Sequence, residues 1–182
     1  PFGSLLDLSD ILKAYRHPVL VQSIDSVGTK LMIARMANNH TTIGMDMVAH
    51  GVNDILCHGA RPLSFLDYIA VDKLGPGHIE QIVKGIVGGC KETGMPLVGG
   101  EIAELPGIYC PGQYDLVGSI TGIVEREKII TGKSIRPGDR LVGLASNGLH
   151  TNGYSLARKV FFELKDYQVD RYIPELGMTL AE

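Results

Sequence analysis

The sequence has no tryptophan, and aromatic residues make up only 6% of its 182 positions. It has no long apolar run. Its uninterrupted hydrophobic stretches are a few residues, far short of the roughly 20 that span a bilayer, so no transmembrane helix is expected. It has no surplus of positive charge. Its 17 Lys and Arg face 20 Asp and Glu, a net charge of -3, which excludes a strongly basic nucleic-acid or membrane-surface protein. The three cysteines (Cys57, Cys90 and Cys110) contain no C-x-x-C pair, which excludes the usual zinc and dithiol spacings. Free thiols in a reducing cytoplasm fit this pattern. There is no H-x-x-x-H zinc pair and no G-x-S-x-G nucleophile turn. The opening Pro1-Phe2-Gly3-Ser4 lacks the charged and apolar regions of a secretory signal.

What is present is an apolar fraction of 45%, enough to bury a core and offset ordering entropy. The length suits one domain, or one domain and part of another. Glycine is abundant, with 23 residues against about 13 at ordinary usage. The glycines are spread among aliphatic runs, which points to tight turns and close backbone approach.

The coarse pattern mixes strands and helices, so the fold class is α/β or α+β. Residues 19–24 read as a strand ending at Asp25, followed by a loop at 26–30 and a helix over 31–37. A second helix is expected over 44–58, ended by Arg61-Pro62. Residues 63–71, 95–100 and 114–124 read as strands. Residues 76–93 form the clearest helix, because Ile79, Ile82, Val83, Ile86, Val87 and Cys90 recur on one face; Gly94 suits its C-terminal cap. The turn Ile135-Arg-Pro-Gly-Asp139 precedes an expected strand at 140–145 and a helix at 154–164. A domain boundary is placed there, giving 1–138 and 139–182.

Four stretches carry candidate chemistry. On the helix at 44–58, Val48, Val52, Ile55 and Leu56 share one side, while Asp46, His50, Asn53 and Cys57 share the other, with Asp54 at its edge. Such oxygen donors suit Mg²⁺, which takes one or two carboxylates plus phosphate oxygens; on periodicity alone the same face is the solvated side of an amphipathic helix. Asp25-Ser-Val-Gly-Thr-Lys30 places a carboxylate, a glycine turn (Gly28), Thr29 and Lys30 before a helix, which resembles a phosphate cradle without the Walker spacing. It equally fits a turn with a surface lysine. Gly99-Gly100-Glu101-Ile-Ala-Glu104 pairs two glycines with carboxylates, of which Glu101 is the better candidate; a polar strand end is the simpler account. Ser146-Asn-Gly-Leu-His-Thr-Asn-Gly153 gathers small polar residues and His150 before a helix, which suits a phosphate or polar substrate and also an ordinary cap. The histidines at 17, 40, 58 and 78 read as surface or turn residues.

Together these strings resemble a known family. Asp54-Ile-Leu-Cys-His-Gly59-Ala60-Arg-Pro62 fits the D-x-x-x-x-G-A-x-P signature of the aminoimidazole ribonucleotide synthetase superfamily. That superfamily also holds formylglycinamidine ribonucleotide amidotransferase, selenophosphate synthetase, thiamine-phosphate kinase and a hydrogenase maturation protein. The strings 23–31, 65–68, 97–106, 114–118 and 148–156 resemble the synthetase (phosphoribosylformylglycinamidine cyclo-ligase) family in particular, and the likeness runs over residues 1–165. Ser26 stands where that family has Gly, Ile102 where it has Thr and Leu105 where it has Met. Compared with the family, the chain begins inside the first domain, without a glycine-rich segment and a phosphate-touching lysine, and ends early in the second.

The resemblance implies ATP-dependent ring closure of formylglycinamidine ribonucleotide, with ATP and Mg²⁺ as cofactors. It implies Asp25, Asp54 and Glu101 as metal- or phosphate-organising carboxylates, and these with His150 as the catalytic set. Asp46 and Asn53 would support them. Gly28, Thr29, Lys30, Gly99, Gly100 and Asn152 would bind nucleotide, with His150 and Asn152 toward the substrate. It further implies a cytoplasmic homodimer whose first domains pair their sheets, with a small nucleotide precursor as substrate and no nucleic-acid or membrane partner. Two other readings are another ATP-dependent superfamily member, of thiamine-phosphate kinase or selenophosphate synthetase type, and a nucleotide-binding dimerisation module without turnover.

Overall fold

The computed structural model describes residues 3–182. Pro1 and Phe2, part of the N-terminal signal and first-domain readings, lie outside the described residues. The chain begins with a short 3₁₀ turn at Ile11–Ala14. It then runs through β1 (Pro18–Ser26), α1 (Lys30–Ala37), α2 (Thr41–Leu56), β2 (Arg61–Val71), α3 (Pro76–Glu92), β3 (Leu97–Glu104) and β4 (Tyr114–Glu125). The fold is α/β with one four-stranded mixed sheet in the order β1-β4-β2-β3. β4 is antiparallel to both β1 and β2, and β3 is parallel to β2. No helix among the described residues is long and apolar enough to cross a membrane.

Local chemistry explains most element ends. α1 stops at Asn38, which takes the left-handed conformation (φ 49°) that Asn tolerates. α3 starts on Pro76, whose missing N–H costs nothing in the first turn. It ends at Gly94 (φ 66°), where the N–H of Met95 donates to the carbonyl of Cys90 at 2.9 Å. β3 runs on past the expected end at 100 to Glu104, because residues 101–104 keep pairing with Tyr68 to Val71.

One face of the sheet carries the core. Phe65, Ile69, Leu116 and Ile120 point from β2 and β4 onto Ile43, Met47, Val48 and Ile55 of α2 and onto Ile82, Ile86 and Cys90 of α3. Burial pushes the Cys90 thiol up to about 11, so it packs as an inert small apolar group. The buried stripe of α2 is centred differently from the sequence expectation: Leu56 falls outside it and is 57% exposed. His40 also departs from the surface reading, being 3% exposed. Its Nδ1 lies 2.8 Å from the Tyr114 hydroxyl and its backbone N–H donates to Gln81 Oε1. Burial, with His78 and Arg35 nearby, holds its pKa below the usual value.

The two helices meet through glycine. A Cβ on Gly85 would fall onto the Thr41 carbonyl oxygen, and one on Gly44 onto that of Ile82. α2 is also seated on glycines of β4, since a Cβ at Gly118 would strike Phe65 and Met47, and one at Gly122 would strike Ile55. The opposite face of the sheet has no helix over it among the described residues. Leu20, Ile24 and Leu66 are exposed there at 53%, 71% and 40%.

After a 3₁₀ turn at Arg126–Lys128, residues 131–150 are exposed throughout. The strand expected at 140–145 does not form. Leu141, Val142 and Leu144 are exposed and no described strand lies beside them; an extended run with no neighbour to satisfy its backbone gains nothing from strand geometry. The helix expected at 154–164 is a five-residue α4 (Tyr154–Arg158) that widens into a π-helical turn at Lys159–Leu164. A small hairpin, β5 (Tyr172–Ile173) and β6 (Met178–Thr179), follows.

Two glycines three residues apart on α3 give opposite expectations. Gly85→Ala should destabilise by about 3 kcal/mol, the upper part of the overpacking range, because the atom it meets is backbone. Gly88→Ala, with only Met45 Cγ at 4.0 Å, should stabilise by about 0.5–1 kcal/mol through helix propensity. Urea unfolding midpoints check both, and equal midpoints for the two variants would contradict the close crossing.

Candidate functional site

The odd-numbered positions of β1 face α2. Ser23 and Asp25 follow Val19 and Val21 on that side, and α2 presents His50 and Asp54, one turn apart, to them. The Ser23 hydroxyl donates to Asp54 Oδ2 at 2.6 Å. His50 Nε2 lies 3.1 Å from Asp25 Oδ2 and 4.0 Å from Asp54 Oδ1. One ligand atom each from Asp25, His50 and Asp54 falls within a 4.8 Å group. Two carboxylates from distant parts of the chain thus converge with one imidazole between them.

The loop after β1 wraps this cluster. Val27 is buried, and its N–H extends the ladder by donating to the Leu116 carbonyl at 3.2 Å. Gly28 turns the chain with φ 68°, a left-handed value that favours glycine. Thr29 then leads into α1. Residues 151–156, the loop before α4 and its first turn, close the other side: Thr151 Oγ1 lies 3.0 Å from His50 Nδ1, and Thr29 Oγ1 lies 3.3 Å from Ser155 Oγ. Between the two loops is a cavity of about 460 Å³, lined by residues 25–29 and 151–156.

Several expected residues thus meet. Asp25, Gly28 and Thr29 line the cavity with Asn152, and Asp54 stands beside Asp25. Lys30 and Asp46 come together with each other: Nζ and Oδ2 are 2.6 Å apart in a pair largely shielded from solvent, and the ammonium lies 5.4 Å from the Tyr154 ring centroid. Lys30 is therefore neutralised by the carboxylate expected to help hold a cation. Asn53 on α2 and His150 are both exposed, and neither lines the cavity.

Glu101, Gly99 and Gly100 do not join this cluster within one chain. Asp25 pairs with Gly118, Gly118 with Asp67, and Asp67 with Gly100. Glu101 is therefore three strands away, roughly 14 Å at about 4.8 Å per strand. It also belongs to the other face, in register with Tyr68. These three residues line a second groove of about 570 Å³ with Asp67 and Ser4. Asp67 is the residue that sequence reasoning passed over. It points to the helix side between Gly100 and Gly118; a Cβ on Gly100 would fall on its Oδ1. Burial raises its pKa. Its signal was an aspartate on the same strand parity as Phe65 and Ile69. His50 carried a signal too, four residues before Asp54, whereas nothing in the sequence marked Thr151 as its partner.

The family model described as "AIR synthase related protein, N-terminal domain" matches residues 10–124. The chain belongs to that family. Among curated relatives of this AIR synthase related chain, the phosphoribosylformylglycinamidine cyclo-ligases of Alkaliphilus oremlandii and Geobacter sulfurreducens are each 55% identical over 181 residues, covering 100% of this chain and 52% and 51% of those proteins. The chain thus spans about half the length of the curated relatives it matches. Among solved structures, thiamine-monophosphate kinase from Stenotrophomonas maltophilia is similar with a TM-score of 0.53 at 19% identity, covering 62% of this chain and 33% of that one. The hydrogenase maturation protein HypE in complex with ATP has a TM-score of 0.52 at 22% identity, covering 66% and 35%. These two likenesses bear on the fold, which is the AIR synthase related fold with α2 and α3 on one face of the sheet.

Asp54→Asn separates a structural from a binding role for the carboxylate. The amide oxygen still accepts from Ser23, and the change removes one of two facing negative charges. The thermal midpoint should move by no more than about 3 °C, the shift for about 1 kcal/mol in a chain of this size. A melting scan checks this; a drop above about 10 °C would make Asp54 structural.

Proposed function

We propose that the full-length protein catalyses ATP-dependent closure of formylglycinamidine ribonucleotide to aminoimidazole ribonucleotide in purine synthesis. The observation that carries this reading is the 55% identity to the cyclo-ligases over the whole chain, which includes the strings around Gly99 and Asn152. ATP is also the nucleotide named with the HypE structure that shares this fold.

In this reaction the γ-phosphoryl of ATP passes to the formyl oxygen of the substrate. The amidine nitrogen attacks that carbon, the C–O bond breaks, and phosphate leaves as the ring closes. A phosphorylated oxygen leaves far more readily than a bare one, so the protein's work is positioning and charge neutralisation. Asp25 and Asp54 would hold the Mg²⁺ that accompanies ATP: their carboxylates face each other with only an imidazole between, a donor set that suits a divalent cation. Bound there, Mg²⁺ would supply positive charge to the phosphate oxygens. Gly28 and Thr29 offer backbone and hydroxyl donors beside it, and Asn152 reaches the same cavity from the opposite loop. Lys30 orients Asp46 and the start of α1 by its ion pair. His150 stands outside the cavity lining, so a proton-transfer role would require its loop to close.

The second groove belongs to the same reading through a homodimer. The uncovered sheet face, with Leu20, Ile24 and Leu66 exposed, suits burial against a second copy. A two-fold axis parallel to the strands would lay the β1 edge of one chain over the β3 edge of the other at matching register, which brings Gly99, Gly100 and Glu101 to the partner's β1 edge, where β1 ends at Asp25 and Ser26. Residues 1–138 would form the nucleotide-binding and dimerising domain, and 139–182 the start of a substrate domain. Such a protein would act in the cytoplasm.

Full-length protein with Mg²⁺, ATP and formylglycinamidine ribonucleotide should release ADP, phosphate and aminoimidazole ribonucleotide. Parallel reactions with thiamine monophosphate or selenide should consume no ATP, to ADP or to AMP. Turnover of thiamine monophosphate or selenide without ring closure would assign the chain to another activity on the same fold.

A further inference from the structure

We infer that His50 is a third protein ligand of the divalent cation held by Asp25 and Asp54, and that its nitrogen makes this site prefer a borderline transition cation such as Co²⁺ or Zn²⁺ to Mg²⁺. The inference rests on the reading above that these two aspartates bind a metal.

The geometry has three parts. First, Nε2 of His50 is 3.1 Å from Asp25 Oδ2 and 4.0 Å from Asp54 Oδ1. Ligand atoms bonded at about 2.0–2.2 Å to one ion sit roughly 3–3.5 Å apart, so the Asp25–His50 edge already has the spacing of two adjacent ligands, and Asp54 Oδ1, at 4.0 Å from Nε2, lies within the same 4.8 Å group. Second, no lysine or arginine among the described residues pairs with either carboxylate. Lys30, the ammonium on the neighbouring helix, is held by Asp46 at 2.6 Å. The pair accepts one hydrogen bond each from the Ser23 hydroxyl and the Ser26 backbone N–H, and no cationic side chain other than the imidazole faces it. Third, the ring is not free to turn away. Its side chain is 14% exposed, and its Nδ1 lies 3.0 Å from Thr151 Oγ1. A ligating histidine characteristically gives its other ring N–H to such a partner, which fixes the tautomer and aims the lone pair. With Nδ1–H donated to Thr151, the Nε2 lone pair points at two carboxylates, an arrangement that a cation between them relieves.

The preference follows from ligand type. Mg²⁺ takes oxygen ligands and keeps several waters. Imidazole favours later first-row cations, in the order Mn²⁺ below Co²⁺ below Ni²⁺, with Zn²⁺ near the upper end. A site with two carboxylates and one imidazole is therefore ranked by its nitrogen. It also ties the cation to the 151–156 loop: metal binding fixes His50, and His50 fixes Thr151.

Co²⁺ is the probe, because it reports its ligands magnetically. The protein is titrated with Co²⁺ in the absence of nucleotide, in competition with Mg²⁺, and followed by proton NMR. The wild type should bind Co²⁺ at least about tenfold more tightly than Mg²⁺ and show a strongly shifted, exchangeable ring N–H resonance from a cobalt-bound imidazole. His50→Gln should lose that resonance and most of the preference. Thr151→Val, which keeps the imidazole, should weaken Co²⁺ binding about tenfold or more and broaden the resonance by faster exchange; it decides the matter if His50→Gln fails to fold. Co²⁺ binding with no shifted N–H, or with affinity unchanged in both variants, would overturn the inference: the imidazole would then be a plain hydrogen-bonded link, with Nε2–H donating to Asp25. Because no nucleotide is present, that failure leaves the ring-closure reading standing, and failure of the ring-closure assay leaves a positive cobalt signature standing.

Discussion

The seating of α2 on glycine decides where every charged group of the pocket falls. Gly44 meets α3 at Gly85, and Gly118 and Gly122 of β4 leave room beneath for Met47, Phe65 and Ile55. A side chain at Gly44 or Gly85 would have to move backbone, and one at Gly118 or Gly122 would have to displace core side chains. The helix is therefore held at one height and one rotation against the sheet. That rotation buries Ile43, Met47, Val48 and Ile55 and turns His50 and Asp54 toward β1. The rotation that completes the core also builds the acidic cluster, so packing and chemistry share one cause.

The cluster then organises the loops around it. Asp25 ends β1 on the face that α2 covers, and Ser23, two residues earlier, fixes Asp54. His50 reaches the other way to Thr151. Residues from three parts of the chain, around positions 25, 50 and 151, thus border one cavity. Elsewhere, charge is arranged to be satisfied: Lys30 with Asp46, and Glu125 accepting backbone N–H groups of Arg16 and His17, which lowers its pKa. Asp25 and Asp54 have no lysine or arginine beside them among the described residues; Asp25 accepts from the Ser26 backbone N–H, Asp54 accepts from the Ser23 hydroxyl, and His50 stands between them.

Much of this was legible in the sequence because it is local. The period of Ile79, Ile82, Ile86 and Cys90 marked α3, and Gly94 marked its end. Asp25 at a strand end and Asp54 at the edge of a polar helix face stood out as candidates, and the structure brings the two together. What local pattern does not encode is strand order. β4, the last strand of the sheet in sequence, inserts between β1 and β2. That insertion carries Glu101 three strands from Asp25, although each residue read alone looked like part of one site. Within α2 the expected apolar side holds at Val48, Val52 and Ile55 and misses at Leu56; two glycines and a stripe running through Ile43 and Met47 set the rotation, so Leu56 ended on the outside. The run at 140–145 has strand composition and no strand beside it among the described residues, since β-propensity describes fit to a sheet rather than an intrinsic state of the backbone.

The most direct measurement locates the nucleotide-bound metal on the chain itself. Isotope-labelled protein is saturated with ATP and Mg²⁺, and trace Mn²⁺ is added while amide NMR signals are followed. If one metal-bound triphosphate sits between Asp25, Asp54 and the 151–156 loop, broadening appears first at Gly28, Thr29, Asp54 and Thr151, and leaves Gly88 and Gly94 sharp. Broadening centred on residues away from this pocket, or ATP saturation with no selective broadening, would contradict the account.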